Sequence, residues 1–291
     1  MVDLILIDFS WLYNKYYFVA KVKPLQTSTS PEALKPQVHD MLLQFLSLVA
    51  KNYGNSRVLL VLDSPLSTTA NAALCAEYKR NRDTEGKKEV YKYFKDIVGK
   101  LSQELSKNIL FVRAKGFEAD QAIAYLAEKN KDNKEILIFS GDKDLLQLSC
   151  YENVDISDKY EKGRFLVKSD KEIFEKFKNS KNEDFTRIST NKKDILKYRS
   201  LKGDVSDNLS PVFPRIKDKE IAQIIKDYWI DNQEEGLSSE RADKILEDLS
   251  YDNPALAQKL REAKDVWLRN YKIMNLFGLQ GLVIKRIKKS G

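Results

Sequence analysis

Four short apolar runs, residues 4–7, 58–62, 109–112 and 136–139, are uninterrupted in Leu, Ile, Val and Phe, and longer stretches with helical spacing separate them. A strand that is apolar on both faces has to be covered on both faces. The alternation therefore predicts an α/β fold with a central, mostly parallel sheet flanked by helices. Helical spacing falls at residues 11–18, 36–53, 89–106 and 118–130, the last with Ala119, Ala122, Ile123, Leu126 and Ala127 on one face. Two further short strands are expected at 154–157 and 165–167. From Asp170 onward the pattern turns mostly helical, with polar breaks at 179–190 and 232–239. The expected organisation is an α/β core over residues 1–170 and a helical region over 171–291.

Several function classes are excluded early. The longest apolar stretch, residues 41–50, is interrupted by Gln44 and Ser47 and falls well short of the roughly 20 residues that cross a bilayer. The opening Met1-Val2-Asp3-Leu4 has no basic stretch before its apolar run, so it reads as a strand and not a signal peptide, and a cytoplasmic location is expected. Cys75 and Cys150 are the two cysteines. With no paired CxxC spacing they read as reduced thiols, without a role in zinc binding. The one histidine, His39, sits in an amphipathic helical stretch with nothing resembling a triad near it. A net charge of +7 and a pI near 9.0 favour a polyanionic partner such as nucleic acid.

The strands run into acids. Leu6-Ile7 leads to Asp8, Val61-Leu62 to Asp63, and Ile138-Phe139-Ser140-Gly141 to Asp142 and Asp144, while the run at 109–112 is followed by Glu118 and Asp120 at the start of a helix. In open parallel sheets the ligand crevice lies beyond the carboxyl ends of the strands, so these side chains are expected at one mouth. Farther on, Gly203-Asp204-Val205-Ser206-Asp207-Asn208 adds two acids three residues apart. Any one of them reads equally well as a helix cap. A cluster of like charges, however, repels itself unless cations neutralise it, which points to a metal site. All-oxygen ligands select hard ions, Mg²⁺ with Mn²⁺ able to substitute. Two or more such ions suit phosphodiester hydrolysis without histidine.

A basic segment follows the second acidic strand. Glu77-Tyr78-Lys79-Arg80-Asn81-Arg82 opens a region, 78–107, with nine Lys or Arg against five Asp or Glu, among them Lys87 and Lys88. It reads either as a solvated helix face or as a source of cations for a phosphate, with Tyr78 available to stack on a base.

Together these elements resemble the 5′-nuclease superfamily of flap endonucleases and 5′-3′ exonucleases, with its PIN-like core, and in particular the standalone bacteriophage type, flap endonuclease or ribonuclease H. The resemblance rests on Leu6-Ile7-Asp8 with Ser10 and Tyr13, the run 77–82, Glu118-Ala119-Asp120, Ser140-Gly141-Asp142-Lys143-Asp144-Leu145 with Gln147-Leu148, and Gly203 to Asn208, in the family's order. It implies that Asp8, Asp63, Glu118, Asp120, Asp142 and Asp144 hold catalytic metal, with Asp204 and Asp207 completing a second position. It also implies that Lys79 and Arg82 contact the scissile phosphate and that Asp8 and Asp142 are central to catalysis. Residues 83–106 match the position of the family's helical arch. Tyr13, Tyr78, Arg80, Lys87, Lys88, Arg215, Lys217 and Lys219 are the expected nucleic-acid contacts. The implied substrate is DNA with a 5′ end or flap, with an RNA–DNA hybrid as a second substrate, in phage replication or repair. The expected protein is a monomer in the host cytoplasm, working beside replication proteins. Two other functions stay open on the residues alone: a PIN-type ribonuclease, and a non-catalytic binder of branched DNA.

Two departures from the family pattern stand out. Gln121 occupies a position where a third acid is common, which weakens one metal position. The Gly-rich turn expected after Asn208, within a helix–three-turn–helix near 195–228, is replaced by Leu209-Ser210-Pro211-Val212-Phe213-Pro214-Arg215-Ile216-Lys217. Side chains of Arg215, Lys217 and Lys219 would then replace backbone amides at duplex phosphates. Trp229 and Trp267 read as core, and Lys285-Arg286 with Lys288-Lys289 as a solvated basic tail.

Overall fold

The computed structural model describes residues 1–23, 29–65, 67, 69–80, 84–105, 107–175, 191–229 and 236–287, with the side chains of residues 69, 70, 84–92 and 175 outside that description. The chain divides into two compact units. One comprises Met1–Thr68, Asp83–Val167 and Leu276–Gly291, the other Thr69–Arg82 and Lys168–Asn275. Among the described residues no helix is long and apolar enough to cross a membrane.

The first unit is built on a six-stranded sheet: β1 Leu4–Asp8, β2 Arg57–Val61, β3 Ile109–Ala114, β4 Ile136–Phe139, β5 Val154–Ser157 and β8 Ile284–Arg286. Its order is β5-β4-β1-β2-β3-β8, and every pairing is parallel except that of β3 with β8. The chain first builds outward from β1 to β2 and β3, then crosses to lay β4 on the other side of β1. That reversal puts the topological switch between β1 and β4, where the following loops diverge and leave a crevice at the carboxyl ends of the strands. β1 is buried along its whole length and β4 likewise, as a doubly covered sheet requires.

Helices α1 Phe9–Val22, α2 Pro31–Asn52, α4 Thr84–Glu104 and α5 Ala119–Asn130 belong to this unit. Leu34, Val38, Leu42, Phe45, Leu46 and Val49 of α2 form one buried stripe. They join Ile5, Ile7 and Phe139 in a common core. Helix α2 begins five residues before the Pro36 start expected from spacing. Ser30 Oγ accepts from Ala33 N at 3.3 Å and Pro31 takes the first helical position, where a missing N–H costs nothing.

Two small elements depart from the sequence reading. Lys285 and Arg286, expected in a solvated tail, belong to β8, whose residues pair antiparallel with Val112, Arg113 and Ala114 at the outer edge of β3. Exposed cations on a short edge strand are compatible with pairing because such a strand needs only backbone. Lys288 and Lys289 lie outside the described residues. The strand expected at 165–167 is β7, Arg164–Leu166, and it forms a hairpin with β6, Lys159–Glu161.

The second unit is helical: α3 Thr69–Leu74, α6 Asp170–Glu175, α7 Asp194–Lys202, α8 Asp218–Gln223 continued by a π-helical turn Ile224–Tyr228, α9 Ser239–Asp252, α10 Pro254–Glu262 and α11 Lys264–Met274. Its core holds Trp229 and Trp267, 1% and 0% exposed, edge to face with ring centroids 5.1 Å apart. The tryptophans are packing residues, as expected.

Candidate active site

Asp8 ends β1 and caps α1. Its Oδ1 accepts from Trp11 N at 3.0 Å, and its Oδ2 accepts from the Ser140 hydroxyl at 3.0 Å. The residue is 7% exposed. Burial, with the Asp63 and Asp142 carboxylates close by, pushes its carboxyl up from 3.8 to about 7, although the bonds from Trp11 and Ser140 favour the ionised form. Asp8, Asp63 and Asp142 thus form one electrostatic group at the ends of β1, β2 and β4.

Glu118 and Asp120 reach the same end of the sheet through the helix that follows β3. Ala119 N, in the first turn of α5, donates to Asp63 Oδ1 at 2.8 Å, which ties the β2 acid to the Glu118-Ala119-Asp120 segment. Glu118 is buried, and Asp120 Oδ1 accepts from Gln121 N at 2.7 Å. Gln121 has a local job: its side-chain oxygen accepts from Glu118 N at 3.0 Å. The departure from a third acid therefore supplies one half of a capping box.

After β4 the chain turns sharply. Asp142 N donates to Ser140 Oγ at 3.1 Å, and Asp144 N donates to Asp142 Oδ1 at 2.9 Å, opening the 3₁₀ turn Asp144–Cys150. Gly141 is required by a close approach. A Cβ there would strike the Trp11 indole at Nε1, so the indole of α1 packs directly on this turn.

The second unit carries its own pair of acids. Asp204 and Asp207 each offer a carboxylate oxygen within 4.8 Å of the other. Gly203 precedes them at φ 73°, and a Cβ there would meet Leu209 O at 2.5 Å. The loop is closed by reciprocal backbone bonds of 2.8 Å between Asp204 and Leu209. Arg199, from α7, donates to Asp204 Oδ2 at 2.6 Å, and Ser206 N and Oγ donate to Oδ1 at 2.8 and 2.6 Å. Burial alone would raise the Asp204 carboxyl, but Arg199 and Ser206 hold it below the usual range. The Lys79 ammonium stands 3.8 Å from Asp207 Oδ2 and 4.8 Å from the centre of the Tyr78 ring.

The expected nucleic-acid contacts divide. Arg80, Arg215, Lys217 and Lys219 are exposed, and Arg215 adopts φ 60° in the loop after Asn208. That loop buries Val212, Phe213 and Ile216, so it is an apolar anchor with cations on its outer face. Tyr13 is corrected: it is 3% exposed, with Phe94 edge-on at 5.0 Å and Tyr17 stacked at 6.2 Å. A ring held in the core has no face for a base. Tyr78 is likewise only 7% exposed, with Lys79 over its ring, so little of the ring faces solvent. Arg82 lies outside the described residues, as do the side chains of Lys87 and Lys88 in α4.

Ser140, Trp11 and Arg199 are site residues that sequence reasoning assigned no role. Ser140 stands in the Ser140-Gly141-Asp142 stretch, and its position two residues before Asp142 is the signal available for it. Nothing in the sequence pairs Arg199 with Asp204.

A family model described as the 5′-3′ exonuclease N-terminal resolvase-like domain matches residues 3–178. A protein named 5′-3′ exonuclease from Mycoplasmopsis pulmonis is 28% identical over 273 residues, covering 94% of this chain and 80% of the relative. Another of that name, from Buchnera aphidicola, is 30% identical over 217 residues, 73% of this chain and 66% of the relative. Among solved structures, the bacteriophage T5 flap endonuclease crystallised with metal ions superposes with a TM-score of 0.67 at 17% identity, over 94% of this chain and 89% of the other. That likeness is one of fold.

Proposed function

The chain belongs to the 5′-3′ exonuclease family, and from that premise we propose a structure-specific 5′-nuclease that hydrolyses DNA at a 5′ end or flap with divalent metal held by its strand-end carboxylates. The observation that carries the reading is the grouping of Asp8, Asp63 and Asp142 at the ends of β1, β2 and β4, with Asp8 buried and its carboxyl raised by burial and by the two neighbouring carboxylates. A bound cation reverses that penalty, and an all-carboxylate donor set suits Mg²⁺, with Mn²⁺ as substitute. The proposed ligands are Asp8, Asp63, Glu118, Asp120, Asp142 and Asp144, with Asp204 and Asp207 offering a further position. Two or more ions bound by these residues supply water activation and neutralise phosphate charge.

The chain's own groups do the positioning. Trp11 N and the Ser140 hydroxyl fix both oxygens of Asp8, and Ala119 N fixes Asp63. Lys79, with Arg82, takes the scissile phosphate and offsets its charge as the bond breaks. Arg215, Lys217 and Lys219 present exposed cations to duplex phosphates, so binding is salt-sensitive.

The test is incubation with 5′-flapped duplex, nicked duplex, single-stranded DNA and an RNA–DNA hybrid, in Mg²⁺ or in chelator. Metal-dependent release of products bearing a 5′-phosphate from the flap or 5′ end is expected. Absence of metal-dependent cleavage on every substrate would overturn the proposal, and cleavage confined to RNA would favour the ribonuclease alternative.

A further inference from the structure

Lys79 adopts φ 56°, a left-handed conformation that a long side chain rarely occupies unless its surroundings impose it. It stands in a four-residue turn closed by Arg80 N donating to Glu77 O at 3.0 Å. Two bonds tie this turn to the loop that carries Asp204 and Asp207. Lys79 N donates to Asp207 O at 2.9 Å. Asn208 Nδ2 donates to Glu77 O at 2.9 Å. Asn208 is itself left-handed, φ 58° and ψ 36°, and its N–H closes the 3₁₀ turn on Val205 O at 3.2 Å.

These bonds have a common effect. The Asn208 carboxamide and the Asp207 carbonyl grip the Glu77 to Arg80 turn at two points, and the gripped turn aims the Lys79 ammonium at Asp207 Oδ2, 3.8 Å away. Without the carboxamide the turn loses one of the two hydrogen bonds that tie it to the acidic loop, and the left-handed Lys79 backbone is held less tightly. We infer that Asn208 is a positioning residue that holds Lys79, so that the acidic loop and the phosphate-contacting lysine move as one piece. The inference rests on the reading of Lys79 under Proposed function. It assigns Asn208 no contact with substrate.

Asn208→Gly separates the carboxamide from the backbone, because glycine tolerates the same positive φ. Hydrogen exchange of the Lys79 amide reads the tether without any need for activity. Protection is expected to fall by on the order of tenfold, while core amides of the second unit, such as those of α11, keep theirs. Single-turnover cleavage reads the consequence. A misplaced lysine should slow Asn208→Gly on the order of 10- to 100-fold with little change in substrate affinity. In a Lys79→Ala background the same substitution should slow cleavage no further.

Unchanged protection of the Lys79 amide would overturn the tether whatever the activity. Lost protection with rate losses that multiply in the double variant would overturn the link to Lys79. If Lys79→Ala alone cuts at the wild-type rate while Asp142→Ala is dead, the lysine's role falls and takes the inference with it, but the nuclease reading stands.

Discussion

Asp8 offers the most quantitative handle on the site. Its carboxyl ionises near 3.8 in an unfolded chain and near 7 in the folded, metal-free protein. Between those values the folded state binds the extra proton, so stability is lost as pH rises from about 4 to about 7 and levels off above that. A difference of about three pH units corresponds to roughly 4 kcal/mol, a large part of the roughly 5–15 kcal/mol that holds a domain together. Asp8→Asn is nearly isosteric, keeps an acceptor for Trp11 N, and never ionises. In chelator, urea denaturation of both proteins from pH 4 to pH 8 should therefore show near-equal midpoints at the acid end. Toward pH 8 the variant should become the more stable by several kcal/mol. The difference between the two curves removes the contribution of carboxyls remote from Asp8 and keeps that of Asp8 with its coupled neighbours Asp63 and Asp142. Saturating Mg²⁺ at pH 8 should restore wild type and leave the variant unmoved at this site. A flat difference curve, or a wild type that gains on the variant as pH rises, would show that burial does not raise the Asp8 carboxyl.

Other consequences concern the second unit. Gly203→Ala should be much worse than Gly116→Ala: both glycines have positive φ, 73° and 84°, but only the Gly203 Cβ would strike backbone, at 2.5 Å from Leu209 O. Thermal unfolding should show a loss of about 1–2 kcal/mol for Gly116→Ala and clearly more for Gly203→Ala, and equal losses would count against the close approach. Trp267→Ala, at a fully buried edge-to-face pair, should destabilise the second unit by about 3–5 kcal/mol. A change under 1 kcal/mol, read by urea denaturation, would place that ring outside the core.

The sheet was legible because its strands are buried on both faces and so are written as unbroken apolar runs. The acids were legible because each run is followed within a few residues by at least one. Capping and membership of the charge cluster are not alternatives, since Asp8 caps α1 while sitting beside Asp63 and Asp142, and Asp204 accepts from Ser206 N at the start of its own turn. Strand β8 was illegible: three residues, two of them cationic, carry no alternation, and only the open edge of β3 makes them a strand. The β6–β7 hairpin did have a signal. Lys162 and Gly163 form its two-residue turn, both at positive φ, the signature of a type I′ turn. The bond from Asn208 to Glu77 spans 131 positions, and no local pattern foretells a contact of that range. Tyr13 misled because a motif match reports that a residue recurs, and a core ring recurs as readily as a binding one.

The proposed strand-end metal site makes this chain a metal-dependent 5′-nuclease. Its most direct test is single-turnover cleavage of a 5′-flapped duplex by wild type and by Asp142→Ala, with Mg²⁺ titrated from zero and substrate binding measured in parallel. Wild type should cut only when metal is present, and the variant should bind without cutting, slowed by about 10³-fold on the scale of a lost catalytic group. Cleavage that persists in chelator, or an Asp142→Ala variant that turns over like wild type, would contradict it.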